Sequence, residues 1–286
     1  MKESLPCGRS ACAYQPSGML SLDLDAYLDR VRWTGGLRRA FDTLAGLLLA
    51  HMASIPFENF DVLLGRPIRL DLAHLQEKLV RSRRGGYCFE QTTLFAAVLD
   101  KLGFSPSLHS ARVILFSPRT VAARSHMFLT VEVENTRYVV DPGFGLLAPR
   151  LPIPLVDRAG APANEEMQWM VRDGDYWVLR ARRGDEIVNA WASTLEVDNP
   201  LDFEVANHFQ ATHPSSAFTS RLMLRALTSD GYVSAMNRDV TIWGERGKQS
   251  IQLADRHALR ELVSEHFGFD LPEIEQLRVA SIPEWG

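Results

Sequence analysis

Arg84-Gly85-Gly86-Tyr87-Cys88-Phe89-Glu90 decides how this chain is read. It sets a cysteine one residue beyond a glycine pair, and the only other cysteines, Cys7 and Cys12, stand at the extreme N-terminus. Leu94, Phe95, Val98, Leu99 and Leu102 follow at helical spacing, so the pattern predicts a helix that opens near Cys88 and closes at Gly103. A helix N-terminus favours the thiolate, the reactive form of the side chain. The glycines permit a sharp turn and leave room for a substrate. The segment fits a nucleophile, and it also fits a buried structural cysteine. A base and an orienting group downstream would decide between the two.

Upstream, the chain reads as helical. Leu24, Tyr27, Leu28 and Val31 recur at helical spacing, as do Leu37, Phe41, Leu44, Leu48 and Met52. Leu72, Leu75 and Leu79 suggest a further helix with Asp71 as N-cap. Between them, Ile55-Pro56-Phe57-Glu58-Asn59-Phe60-Asp61 is interrupted by proline and reads as irregular. Downstream the texture changes. Leu108–Phe116, Met127–Glu132 and Arg137–Val140 read as strands, the last two joined through Glu134-Asn135-Thr136. Met167–Val171 and Tyr176–Ala181 form a second hairpin through Gly174, and the prolines at 149, 152, 154 and 162 mark loop. Further strands are expected over Arg221–Thr228, Tyr232–Met236, Val240–Trp243 and Gln249–Leu253. A helix then runs from Asp255 through His266 to Gly268. Helices, then strands, then strands with a helix make an α+β protein, not an alternating βαβ one.

The 286 residues are enough for one large domain or two to three small ones. With 31 basic and 35 acidic residues the net charge is −4, which gives no bulk attraction to nucleic acid or anionic membrane. The apolar runs, such as Leu44–Ala50, are too short to span a bilayer. Residues 1–20 are polar, carry Pro6 and Pro16, and read as a flexible lead-in without a secretory core. Three cysteines make no disulfide framework, so a reducing cytoplasm is expected, and Cys7 and Cys12 lack the companions of a zinc site.

Of the eight histidines, His126 stands out. It opens the strand His126-Met127-Phe128-Leu129-Thr130-Val131, and the hairpin partner ends at Val140-Asp141-Pro142-Gly143-Phe144-Gly145. In an antiparallel pair turning at Asn135, the start of one strand lies beside the end of the other. Asp141 can then orient the His126 imidazole while its second nitrogen faces Cys88. A turn aspartate and a rim histidine would leave the same traces.

These residues carry a resemblance. Arg84-Gly85-Gly86-Tyr87-Cys88, Ser125-His126-Met127 and Asp141-Pro142-Gly143-Phe144-Gly145, in this order and spacing, resemble the arylamine N-acetyltransferase family of bacterial type. Ile55-Pro56-Phe57-Glu58-Asn59, Asn207-His208-Phe209, His213-Pro214 and Phe218 extend the likeness from about Leu24 to the C-terminus. Pro142 departs from it, standing where the family often has Val or Ala. The lead-in before Leu24 is longer than expected.

The resemblance implies a cysteine-protease-like fold: a helical bundle (21–104), a β-barrel (105–206) and an α/β lid (207–286). It implies acetyl transfer from acetyl-CoA to arylamines or arylhydrazines by a ping-pong route, with Cys88 as nucleophile, His126 as base and acid, and Asp141 as orienter. It puts Gly143, Phe144, Gly145, Phe209 and Ser215 toward CoA, and Phe144, Leu146 and Ser125 toward the acceptor. No metal, nucleic acid or membrane partner is implied, and the chain would act as monomer or homodimer. Glu58 and Asn59 are read as holding the loop beneath the site, Arg84 as structural. A macrolactam-forming amide synthase, a papain-like hydrolase or a transglutaminase-like enzyme would keep the same Cys, His, Asp order, and a non-catalytic binding protein would leave Cys88 inert.

Overall fold

The computed structural model describes residues 22–160, 167–183, 185–245 and 247–285, and only the backbone of Leu146. The lead-in with Cys7 and Cys12, and Pro162, lie outside the described residues.

Helices come first. α1 (Leu24–Arg30) is capped by Asp23, whose carboxylate accepts the Ala26 N–H at 3.1 Å. α2 (Phe41–Ser54) begins four residues after Leu37. Residues 55–59 are irregular as expected, but Phe60 opens a short helix, α3 (Phe60–Leu63). α4 (Leu72–Leu75), capped by Asp71, runs on as a π-helical turn over Gln76–Arg81. α5 (Cys88–Lys101) ends at Leu102, and Gly103 follows at φ +80°. The apolar stripes of α2 and α5 meet in one core that holds Leu44, Leu48, Leu94, Phe95, Val98 and Leu99. Burial of these stripes, more than local propensity, is what holds the helices.

Seven strands follow: β1 (Ser107–Val113), β2 (Arg124–Val133), β3 (Thr136–Val140), β4 (Ile153–Pro154), β5 (Gln168–Asp173), β6 (Tyr176–Arg183) and β7 (Glu186–Ser193). They are ordered β4-β3-β2-β1-β7-β6-β5, every pair antiparallel, and the two edges β4 and β5 lie side by side, so the sheet nearly closes into a barrel. Glu134 (φ +53°) and Asn135 (φ +61°) make the tight β2–β3 turn. The proline-rich stretch expected to be loop contributes β4, where Pro154 pairs with Tyr138 on an edge that does not need its missing N–H.

The last part holds α6 (Pro200–Thr212), α7 (Ala217–Ser220), β8 (Met223–Leu227), β9 (Tyr232–Met236), β10 (Asp239–Gly244), β11 (Gly247–Gln252) and α8 (Arg256–His266). α6 runs through positions 206–207, where the sequence reading set a border. The four strands form a sheet ordered β11-β10-β9-β8, and α8, capped by Asp255, buries Leu259 and Val263 against Leu224, Val233 and Val240. The molecule is thus α+β, with helices, barrel and lid in that order. Among the described residues no helix is long and apolar enough to cross a membrane.

Candidate active site

The approach to Cys88 is fixed by main chain. Gly86 N–H donates to the Pro56 carbonyl (3.1 Å) and Glu58 N–H to the Gly86 carbonyl (3.2 Å), so residues 85–86 run against residues 56–58. A Cβ on Gly85 would collide with the Pro56 carbonyl, which is why the first glycine is needed. Gln91 Nε2 donates to the Gly86 carbonyl at 2.7 Å and locks the turn to the first turn of α5. Cys88 is the first residue of that helix, 3% exposed, among Tyr87, Phe89, Met127 and Phe203.

A side chain ties α5 to the barrel: Thr92 Oγ1 donates to the Met127 carbonyl at 3.1 Å. This lays the start of the helix beside the start of β2, where His126 stands. His126 Nε2 and Asp141 Oδ2 are 2.8 Å apart, with both side chains buried. The same carboxylate oxygen accepts Trp191 Nε1–H at 3.0 Å, and Oδ1 accepts the Gly143 N–H at 3.2 Å. Cys88 lies close enough to the same imidazole to help raise its pKa. With Nε2 committed to Asp141, Nδ1 is the nitrogen left for sulfur. Burial pushes the His126 pKa down, but the Asp141 charge and hydrogen bond, aided by Cys88, more than reverse this and raise it to about 10. The result is an imidazolium held between a carboxylate and a thiol at a helix start. Such a set can keep sulfur anionic and move protons to and from it.

The fold and this geometry have known counterparts. The N-acetyltransferase family model matches residues 40–276. An arylamine N-acetyltransferase of Escherichia coli is 35% identical over 253 residues, covering 87% of this chain and 90% of that one. The structure of arylamine N-acetyltransferase from M. tuberculosis superposes with a TM-score of 0.82 at 34% identity, over 88% of this chain and 96% of the other. This chain belongs to the arylamine N-acetyltransferase family. It is an acyltransferase of the cysteine-protease-like fold. A Mycobacterium marinum arylamine N-acetyltransferase solved in complex with CoA matches equally well, with a TM-score of 0.82 at 32% identity over 88% of this chain and 94% of that one.

Among the residues that the arylamine N-acetyltransferase resemblance singled out, the structure brings Cys88, His126, Asp141, Gly143 and Phe144 together. The Phe144 ring centroid is 4.8 Å from that of His126. Gly143 lies so close to the nucleophile helix that a Cβ would stand 2.6 Å from Cys88 Cα. Gly145, at φ +66°, faces the Phe57 ring. Ser125 is half-buried on β2 beside His126. Phe209 lies near the end of α6, stacked on His213 at 4.3 Å, and Ser215 Oγ is 2.7 Å from His213 Nδ1. The Leu146 side chain lies outside the described residues.

Glu58 and Asn59 sit beneath the site as read. Glu58 Oε1 accepts Arg84 Nη2 at 2.7 Å, and Asn59 binds three main-chain groups of the lid. One neighbour, Trp191, and the packing of Phe57, Tyr87 and Phe218 on one another escaped sequence reasoning. Trp191 comes from β7, which was not foreseen, and nothing local marks a lone tryptophan as an aspartate's donor. Tyr87 and Phe218 meet edge-on at 5.1 Å beside the thiol, although 131 positions separate them. Phe57, tilted 6.3 Å from Phe218, joins the same aromatic wall. Only the folded chain reveals these pairings.

Proposed function

We propose that Cys88 carries the acetyl group in a ping-pong transfer from acetyl-CoA to an arylamine or arylhydrazine nitrogen. The supporting observation is the buried, hydrogen-bonded His126–Asp141 pair beside Cys88, with the sulfur at the start of α5. In this reading the Cys88 thiolate attacks the acetyl carbonyl, the C–S bond to CoA breaks, and CoA leaves as a thiol that carries the proton of the His126 imidazolium, which is left neutral. A thioester to Cys88 remains, and exchange of one thioester for another is nearly balanced. The amine then attacks that thioester, the bond to Cys88 breaks, and His126 takes the proton released from nitrogen. Asp141 keeps the imidazole oriented throughout.

The wall of Phe57, Tyr87, Phe144 and Phe218 offers flat apolar surface to an aromatic acceptor. The bend at Gly143–Gly145 passes against Cys88 without side chains at its ends, which suits the close approach of an acyl carrier. Cytoplasmic placement follows from the cysteine usage.

Intact mass after incubation with acetyl-CoA alone tests the scheme. One acetyl adduct mapping to Cys88, released on adding an aromatic amine, is expected. No adduct, or an adduct on lysine, would refute it. Cys88→Ala abolishes both adduct and turnover.

A further inference from the structure

The ladder between β1 and β2 slips by one residue just before His126. Ala111 faces His126, but the next residue of β1, Arg112, faces Arg124, so Ser125 is an extra residue with no partner across the pair. Such a bulge bends its strand and re-aims the side chains beside it. Here the side chain beside it is the imidazole that meets Asp141 and Cys88.

An extra residue can slide along a ladder unless something pins it. The pin is Asp198, on the connection between β7 and α6, with a side chain only 6% exposed. Its Oδ2 accepts the Ser110 N–H of β1 at 2.6 Å, and its Oδ1 accepts Arg124 Nη2 of β2 at 2.8 Å. One carboxylate thus holds both strands, on opposite sides of the slip. Arg124 closes the triangle, because its Nε donates to Ser110 Oγ at 2.6 Å. Glu196 reaches the same guanidinium at 3.5 Å but is exposed and adds little. The connection itself is fixed along β1. The Asp198 N–H donates to the Leu108 carbonyl at 3.2 Å, and the Glu196 carbonyl accepts His109 Nδ1 at 2.9 Å. Leu195 stands at φ +59°, a conformation that residues with a side chain rarely adopt and that the surroundings must enforce. The connection is a strap across β1, and Asp198 is where it grips β2.

We propose that Asp198 is a positioning residue for acyl transfer: by clamping Ser110 to Arg124 it locks the bulge at Ser125 and sets the direction in which His126 presents Nδ1 to Cys88. This rests on the reading of His126 as the base for Cys88. Asp198 acts through the main chain of β2.

The pH dependence of Cys88 alkylation by iodoacetamide in the full chain tests this. The unaltered protein is expected to react well below the pH at which an ordinary thiol does, because the imidazolium keeps the sulfur ionised. Asp198→Asn sets an NH₂ against either the Ser110 N–H or the Arg124 guanidinium, so one arm of the clamp opens. Its alkylation midpoint should move up by about one pH unit toward that of a free thiol, and single-turnover acetylation should slow about ten-fold or more with the acceptor KM little changed. Arg124→Gln should give the same shift, and the two changes together should add little to either alone, because they open one clamp. Asp141, Tyr87 and Glu90, the other ionisable groups around the pair, are left in place by both variants. Leu259→Ala, which loosens the lid core, controls for lost stability and should keep the unaltered profile. An unchanged profile in Asp198→Asn, or a shift shared by Leu259→Ala, would overturn the proposal. An ordinary thiol profile in the unaltered protein would instead remove the reading of His126, and the proposal with it. Should Asp198→Asn fail to fold by circular dichroism, Arg124→Gln decides: a shifted profile supports the clamp and an unchanged one overturns it.

Discussion

Asp141 shows how much one buried carboxylate does here. Its two oxygens accept three N–H donors, from His126, Trp191 and Gly143. In Asp141→Asn only one oxygen remains, so at least one donor faces an amide NH₂. The charge that offsets burial of the imidazolium is also gone. The acetylation rate should fall about a thousand-fold or more. Alkylation of Cys88 by iodoacetamide at pH 7 should slow as well; an unchanged alkylation rate would mean that Asp141 does not govern the sulfur. A stability signature accompanies this. The His126 pKa is raised from 6.5 to about 10, so the folded state holds the proton more tightly than the unfolded chain. That contribution is fully present below pH 6.5 and disappears as the pH rises through about 10. Urea midpoints of the unaltered protein should decline across that window, and those of Asp141→Asn should not show this decline. Gly143 is the second sensitive position. A methyl there meets Cys88 Cα at 2.6 Å, where only backbone can give way. Gly143→Ala should cost about 1–3 kcal/mol of stability and lower the single-turnover acetylation rate together. Full activity would show that the loop can back away freely.

Among the elements, the π-helical turn after α4 has a visible purpose. It carries Lys78, whose Nζ reaches Asp61 Oδ2 at 2.8 Å and Glu90 Oε1 at 2.7 Å. Glu90 is buried in the first turn of α5, and its other oxygen accepts the Tyr87 N–H at 3.2 Å, just ahead of Cys88. Burial raises the Glu90 pKa, with Lys78 as the counterweight that opposes it. Lys78→Met strands Glu90 in the interior, while Asp61 keeps Arg84 at 3.3 Å and Arg66 at 3.4 Å. A loss of about 3–5 kcal/mol is expected in urea unfolding, and a loss under 1 kcal/mol would show that the cluster relaxes or hydrates. The sequence does not announce this turn, because Leu72, Leu75 and Leu79 keep an ordinary helical rhythm through the register change. It does announce α5, where the glycine pair, the apolar stripe and Gly103 agree. The β2–β3 hairpin is legible for the same reason, and with it the meeting of His126 and Asp141. β7 and α6 were missed for different causes. In β7 the residues Glu186, Ile187 and Asn189 blur the alternation, since only Ala190–Ser193 are buried. α6 is polar on most sides, yet Asn199-Pro200-Leu201-Asp202 carried a start signal: Asp202 Oδ2 accepts the Asn199 N–H at 2.9 Å, with proline at the first helical position.

At the scale of the molecule, the site exists only while the lid stays seated on the helices. The seating joins polar contacts to the burial of Phe60 in the lid core. Asn59 Nδ2 donates to the carbonyls of Phe218 (2.9 Å) and Arg221 (2.8 Å), and Oδ1 accepts the Met223 N–H at 2.9 Å. Phe57 and Arg225 exchange both main-chain hydrogen bonds, 2.8 and 2.9 Å long. Arg66 reaches Glu273 from the helical side at 2.7 Å, but this pair is exposed and contributes little. Asn59 is 2% exposed, so replacing it by Ala leaves three main-chain groups without a partner in a place that water reaches poorly. Asn59→Ala should therefore lower stability by about 2 kcal/mol or more, and the loss should concentrate at the joint. Amide hydrogen exchange should quicken in Phe218–Leu227 while the interior of α5, around Val98 and Leu99, keeps its protection. Because Phe218 presses on Tyr87 beside the thiol, the acceptor KM should rise more than the rate of Cys88 acetylation falls. Uniformly faster exchange in both regions would instead mean that helices and lid unfold as one unit, with no separable joint at Asn59.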